Sequence, residues 1–126
     1  MKKRPIQIGD VLIISLPQHT PYGHEQEGTR PTIVVGMPRK LGKPRFPMLI
    51  VAPLTTKIGT WAIKSPLLYP TLRVGTGGLT ETSAVLLDHL SAVDENRIEK
   101  HIGNLNQNEV TQIQQQLLLM FNSSWI

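Results

Sequence analysis

Arg30, the pair Thr55–Thr56, and the acids Glu25 and Asp88 are the residues of this sequence whose types could act on a phosphate. An arginine can fork onto two phosphoryl oxygens, and a threonine hydroxyl can donate to another. One fixed cation with one or two donors is the minimal device for phosphodiester transesterification, because it steadies the charge as phosphorus becomes five-coordinate. The same residues have a plainer reading, with Arg30 in a surface ion pair with Glu25 or Glu27 and two threonines closing a strand. Residue types alone leave both open.

Other chemistries find less support. With no cysteine, disulfides, thiolate zinc sites and cysteine nucleophiles are excluded. There is no Gly-Lys-Ser/Thr phosphate loop, and "GTGGLT" (75–80) follows no clear strand and opens no long helix, so it reads as a turn. His19 and His24 lie in a loop, His89 and His101 in strands, and none has metal-ligand spacing with another ligand. No metal and no other cofactor is expected.

The elements that must position these side chains are mostly short strands. "DVLIISL" (10–16) is rich in β-branched residues and bounded by Gly9 and Pro17, and reads as a first strand. A loop over 18–29 follows, long for so small a domain, and long loops are often functional. "PTIVVG" (31–36) reads as the second strand with Pro31 opening it, where proline is tolerated. The basic, proline-rich 37–47 reads as a hairpin loop, and "MLIVAPL" (48–54) as the third strand, so Thr55 and Thr56 stand at a strand end.

Residues 55–80 read as a looser region. One or two short strands are expected in 83–93, a helical turn capped by Asp94 over 94–97, and a further strand over 99–105. Asn106 and Glu109 have the spacing of a capping box. Behind them Val110, Ile113, Leu117 and Met120 recur at helical period, with Leu118 and Phe121 widening the stripe. The expectation is a mainly β chain closed by a C-terminal helix, a small and partly open barrel.

At 126 residues the chain suits one domain, spanning 1–126. Charged residues are only 17%, too few for a disordered composition, and the net charge of +4 suits a polyanionic or acidic partner. "MKKRPIQIGD" has no apolar run behind its charge, and "LLLMF" is far too short to cross a bilayer. A soluble, cytoplasmic protein with no membrane partner is expected.

"GDVLIISL", "EQEGTRPTIVVG", "VAPLTT" and "SAVLLDHLSAVD" resemble, in order and spacing, the MazF/PemK/Kid family of toxin endoribonucleases. That family has Gly-Asp at the head of its first strand and Glu-Gln-x-Gly-x-Arg-Pro ahead of its second. A Pro-x-Thr-Thr-like element ends its third strand, and a later apolar strand carries an acid. The similarity runs roughly from residue 8 to 121.

The resemblance implies a small SH3-like β-barrel with a C-terminal helix, active as a homodimer. It implies a metal-independent, sequence-selective cut in single-stranded RNA, leaving 2′,3′-cyclic phosphate and 5′-hydroxyl ends. By family match Arg30 is the main catalytic residue and Thr55 donates to the phosphate, while Glu25 has a catalytic or RNA-contacting role in some relatives. His24, Gln26, Gly28, Pro31, Thr56 and Lys57 would line the RNA groove. The implied partner is an antitoxin whose disordered acidic tail folds onto the basic groove, the complex binding DNA.

Departures from the family pattern matter too. Where some relatives carry an arginine two residues before the late acid this chain has Leu86, which leaves Asp88 a weak site candidate beside the reading of a turn acid. His24 stands where relatives often have a small residue. Arg39 and Lys40, with Lys43 and Arg45, either contact RNA phosphates or an acidic antitoxin, or simply form a solvated hairpin tip. Arginine is essentially never deprotonated, so Arg30 would act electrostatically and water, His24 or Glu25 would take the proton. Two other readings stand beside this one. Trp125–Ile126 resembles the C-terminal tail of CcdB, a gyrase poison of the same fold, and a catalytically inactive SH3-like binding module would also fit.

Overall fold

The computed structural model describes residues 5–19, 21 and 23–122. In chain order its strands are β1 (Asp10–Leu16), β2 (Gly28–Gly36), β3 (Met48–Thr55), β4 (Thr71–Leu72), β5 (Ser83–Val85), β6 (Ser91–Asp94) and β7 (Ile98–Asn104). A four-residue helix α1 (Thr60–Ile63) follows β3, and α2 (Gln107–Phe121) follows β7. Among the described residues no helix is long and apolar enough to cross a membrane.

The sheet is antiparallel and runs β4-β5-β3-β2-β1-β7, with β6 also on β3. β3 is the forked member. Its first half, Met48–Val51, pairs with β6, and its last two residues, Leu54 and Thr55, pair with β5. Between β5 and β6 the chain makes a 3₁₀ turn, Leu87–His89, so the expected strand region 83–93 is two strands around a bulging turn. This also corrects the placement of His89, which sits in that turn and not in a strand. The result is a bent, half-closed sheet with one long helix.

Alternation along the strands separates two apolar layers, since successive side chains point to opposite faces. Val11, Ile33, Ala52 and Leu54 join Ile113 and Leu117 of α2 in one. Leu12, Ile14, Leu16, Val34, Leu49 and Val51 form the other with Val93. Each fully buried aliphatic side chain contributes about 1.5–3 kcal/mol relative to exposure.

The capping box forms as its spacing predicts. Asn106 Oδ1 accepts from Glu109 N–H at 2.8 Å, and Glu109 Oε1 accepts from Asn106 N–H at 2.8 Å. The apolar stripe of α2 is shorter than its period suggests. Ile113, Gln116 and Leu117 are buried, but Leu118, Leu119, Met120 and Phe121 are all exposed. Met120 has the correct angular position, one turn past Leu117, yet no described element covers that turn.

The "GTGG" segment is a turn, and it packs on β7. Gly78 has φ of +82°, and a Cβ there would lie 2.7 Å from the Ile102 carbonyl oxygen. Gly78→Ala therefore meets both left-handed strain and a backbone collision, and should lower unfolding free energy by about 1–3 kcal/mol. Asn106→Ala should cost about 1 kcal/mol through the lost cap. Urea denaturation followed by circular dichroism measures both.

Candidate active site

β2 and β3 stop pairing where two prolines meet them. Their last registered pair is Thr32↔Pro53. The Val34 carbonyl accepts from Gly9 N–H at 2.8 Å, so alternate residues Val34, Thr32 and Arg30 turn their backbone polar groups toward β1. Pro31 then presents to β3 the side on which a donor is needed, and proline has none. Pro53 faces the other way, its carbonyl accepting from Leu86 N–H at 2.8 Å. Its own missing donor falls where Leu87–His89 bulges out of the ladder. Pro31 is thus the fourth residue of β2 and ends a ladder, whereas the sequence pattern had it open the strand.

Continued two residues past that last rung, the register would set Arg30 opposite Thr55, the final residue of β3. Residues opposite one another in an antiparallel pair share a face. On the other side Arg30 pairs with Ile14 of β1. The register thus directs two residues 25 apart in sequence to the same face where two strands part.

Arg30 is half-buried, and its Nε donates to the Glu27 carbonyl at 2.8 Å. Among the described residues no carboxylate pairs with it, so the surface ion pair with Glu25 or Glu27 is not formed. Glu27 spends its carboxylate elsewhere, on His19, accepting from the backbone N–H at 2.6 Å and facing Nδ1 at 3.2 Å. The guanidinium is anchored at one nitrogen, and no described carboxylate forms an ion pair with its charge. Thr55 Oγ1 accepts from Lys57 N–H at 3.1 Å, which leaves the hydroxyl proton to be donated.

Residues 23–27 build the wall of the site. An open groove of about 590 Å³ is lined by His24, Glu25, Gln26, Gly28 and Arg30 together with Leu16 of β1. Gly28 starts β2 at φ of +81° with open space around it, so the backbone angle, not room, makes glycine suitable. A second groove, about 470 Å³, shares Gly23–Gln26 and is closed by Asp88, His89, Leu90 and Ser91. Gln26 Oε1 and His89 Nδ1 are both buried with no hydrogen-bond partner, two polar atoms that a ligand with complementary groups would satisfy.

Of the residues singled out in the sequence, His24, Glu25, Gln26, Gly28 and Arg30 share the first groove, and Thr55 is set beside it by register. Thr56 and Lys57 form the exposed turn after β3. Asp88 lies across the loop from Arg30, exposed, and accepts from the Tyr69 hydroxyl at 2.5 Å. That hydrogen bond, with some burial and the carboxylate charge, raises the Tyr69 pKa above the ordinary phenol value. Arg39 and Lys40 are not brought to the groove. They occupy a 3₁₀ turn, Pro38–Lys40, where Arg39 Nη2 donates to the Ile6 carbonyl at 3.0 Å and Nη1 lies 3.6 Å from Glu95. Trp125–Ile126 falls outside the described residues.

Sequence reasoning missed His19, Tyr69 and His89 at the site. Each reaches it through a contact to an acid distant in the chain or through an irregular turn, and none has a periodic signal. Among the described residues no group of three or more histidines or acids is placed to hold a metal ion.

The comparisons with known proteins agree with this architecture. The chain is similar to the Mycobacterium tuberculosis toxin MazF-mt6, at 17% identity over 92% of this chain and 99% of that one, with a TM-score of 0.64. Similarity to MazF (Form-I) from Deinococcus radiodurans is 21% over 94% and 97%, with a TM-score of 0.67. An endoribonuclease in complex with its cognate antitoxin from a mycobacterial species matches at 14% identity over 98% and 100%, with a TM-score of 0.64. A search of curated proteins gives no significant match. At these identities the solved structures speak for the fold alone. The family model of the PemK-like, MazF-like toxins of type II toxin–antitoxin systems matches residues 7–121, and the chain belongs to that family.

Proposed function

We propose that this toxin is a sequence-selective endoribonuclease whose reacting phosphate sits between Arg30 and Thr55. The observation that carries the reading is the register of β2 and β3, which, continued two residues past Thr32↔Pro53, puts an anchored guanidinium with no described carboxylate partner opposite a hydroxyl with its proton to give. In the reaction the ribose 2′-oxygen attacks the adjacent phosphorus and the bond from phosphorus to the 5′-oxygen breaks. The products are a 2′,3′-cyclic phosphate and a 5′-hydroxyl. Charge gathers on the equatorial oxygens, where a fixed cation and a hydroxyl donor stabilise it more than they stabilise the ground state. No metal is required by this scheme.

The 2′-hydroxyl proton goes to His24, Glu25 or water, and the leaving 5′-oxygen takes a proton in return. Both side chains line the Arg30 groove. The unpaired base next to the phosphate would be read by the loop wall, where Gln26 and His89 have buried polar atoms to satisfy. The active form is a homodimer, and an antitoxin with an acidic, disordered tail would occlude the groove by folding onto it.

Digestion of a long RNA with mapping of its 5′-hydroxyl ends tests the reading. Arg30→Ala should stay folded yet cleave about 10²–10³-fold more slowly, and Arg30→Lys should also fall well below wild type, because an ammonium cannot fork onto two oxygens. Wild-type rates from an Arg30→Ala variant would refute the assignment. A gyrase poison or an inert binding module would leave the RNA whole. In pH–rate profiles, His24→Ala or Glu25→Ala should remove one limb if that residue is the base; unchanged shapes in both assign the proton to water.

A further inference from the structure

One exposed aromatic side chain beside this site is braced on two sides. Trp61, the second residue of α1, is 45% exposed. Its indole lies over Gly59, where a Cβ would come 2.5 Å from Nε1 and 2.7 Å from Cδ1. It meets Tyr69 edge-to-face, with centroids 4.8 Å apart and planes at 87°. Tyr69 is held in turn by its hydrogen bond to Asp88. A tryptophan that only needed shelter from water would sit deeper. A ring kept on the surface in one orientation can accept a flat partner at small entropic cost.

The surroundings indicate what the partner is. Lys57, Lys64 and Arg73 are exposed on the same stretch of chain and have no carboxylate partner among the described residues. The pairs Thr55↔Ala84 and Thr71↔Ala84 place β4 two strand spacings, about 10 Å, from Thr55. Tyr69 lies two residues before that strand, and its partner Asp88 closes the groove next to that of Arg30. A strand of RNA whose phosphate rests between Arg30 and Thr55 and which runs along the Asp88 groove would reach the Tyr69–Trp61 pair.

We propose that Trp61 is a stacking platform for an unpaired base of the RNA substrate, and that Gly59, Tyr69 and Asp88 are its positioning residues. This rests on the endoribonuclease reading above. Stacking on an aromatic ring is sequence-tolerant, so Trp61 supplies affinity while the loop wall supplies selectivity.

Steady-state cleavage of a short RNA spanning a mapped cut, intact and with an abasic site at each flanking position, tests this. Trp61→Ala should raise KM about tenfold or more with kcat within about twofold, and Trp61→Phe should restore KM to within about threefold. At one flanking position the abasic RNA should suffer the same loss in wild type, and Trp61→Ala should add nothing further to it. Gly59→Ala, which displaces the indole without removing it, should copy the KM effect. An unchanged KM in Trp61→Ala overturns the proposal and leaves the exposed Trp61, Ile63 and Leu67 to a protein partner. A loss in Trp61→Ala that Phe does not restore and no abasic position cancels assigns Trp61 a structural role and also overturns it. RNA left uncut by wild type removes the endoribonuclease reading and this one together. Cutting that is abolished by Arg30→Ala yet indifferent to Trp61 refutes only this one.

Discussion

A hydrogen bond that cannot form organises this molecule. Pro31 has no donor to offer β3, and Pro53, opposite Thr32, has none to offer β5 and β6. A ladder deprived of a donor must end, and strands released from pairing follow their own twist apart. Arg30 and Thr55 lie two residues past that end. Their backbones are still held, one by β1 and one by β5, on the outer edges of the opening. Rigid support on the outer edges and freedom on the inner ones is what a site for a large, flexible substrate requires.

Glu27 locks the loop onto this frame from both ends of the residue. Its carboxylate takes the backbone and ring of His19, eight residues earlier, and its carbonyl takes Arg30 Nε, three residues later. One residue therefore closes the base of the loop and orients the cation. Had the carboxylate gone to Arg30 instead, the charge would be neutralised and the loop unpinned. His19 thus keeps Glu27 away from Arg30, which gives the histidine a part in the site without any contact to the groove.

How much of this was legible depended on range. β1 could be read to the residue from "DVLIISL", and the cap of α2 from Asn106 and Glu109, because both signals are local. The half-closed barrel and terminal helix followed from the succession of short strands. Pro31 was misplaced because whether a proline starts a strand or stops a ladder is decided by the neighbouring strand. The stripe of α2 was drawn too long because period gives direction but not cover. At the site, the nearness of Arg30 to Thr55 depends on a register that no single strand carries. The bond from Tyr69 to Asp88 depends on a turn inserted between two strands. Arg39 looked eligible by charge and sits instead with Ile6 and Glu95, which only the fold could reveal.

The forked sheet also has a consequence in time. β1 is flanked by β2, made next, and by β7, which starts at Ile98. Its second edge stays open until nearly the whole chain has been synthesised, and sheets closed by such distant pairings fold slowly for their size. A growing chain emerges at about 5–20 residues per second, so Arg30 exists for several seconds before the strand that completes its sheet. The sheet that carries Arg30 is therefore complete only after β7 has paired with β1, late in the growth of the chain.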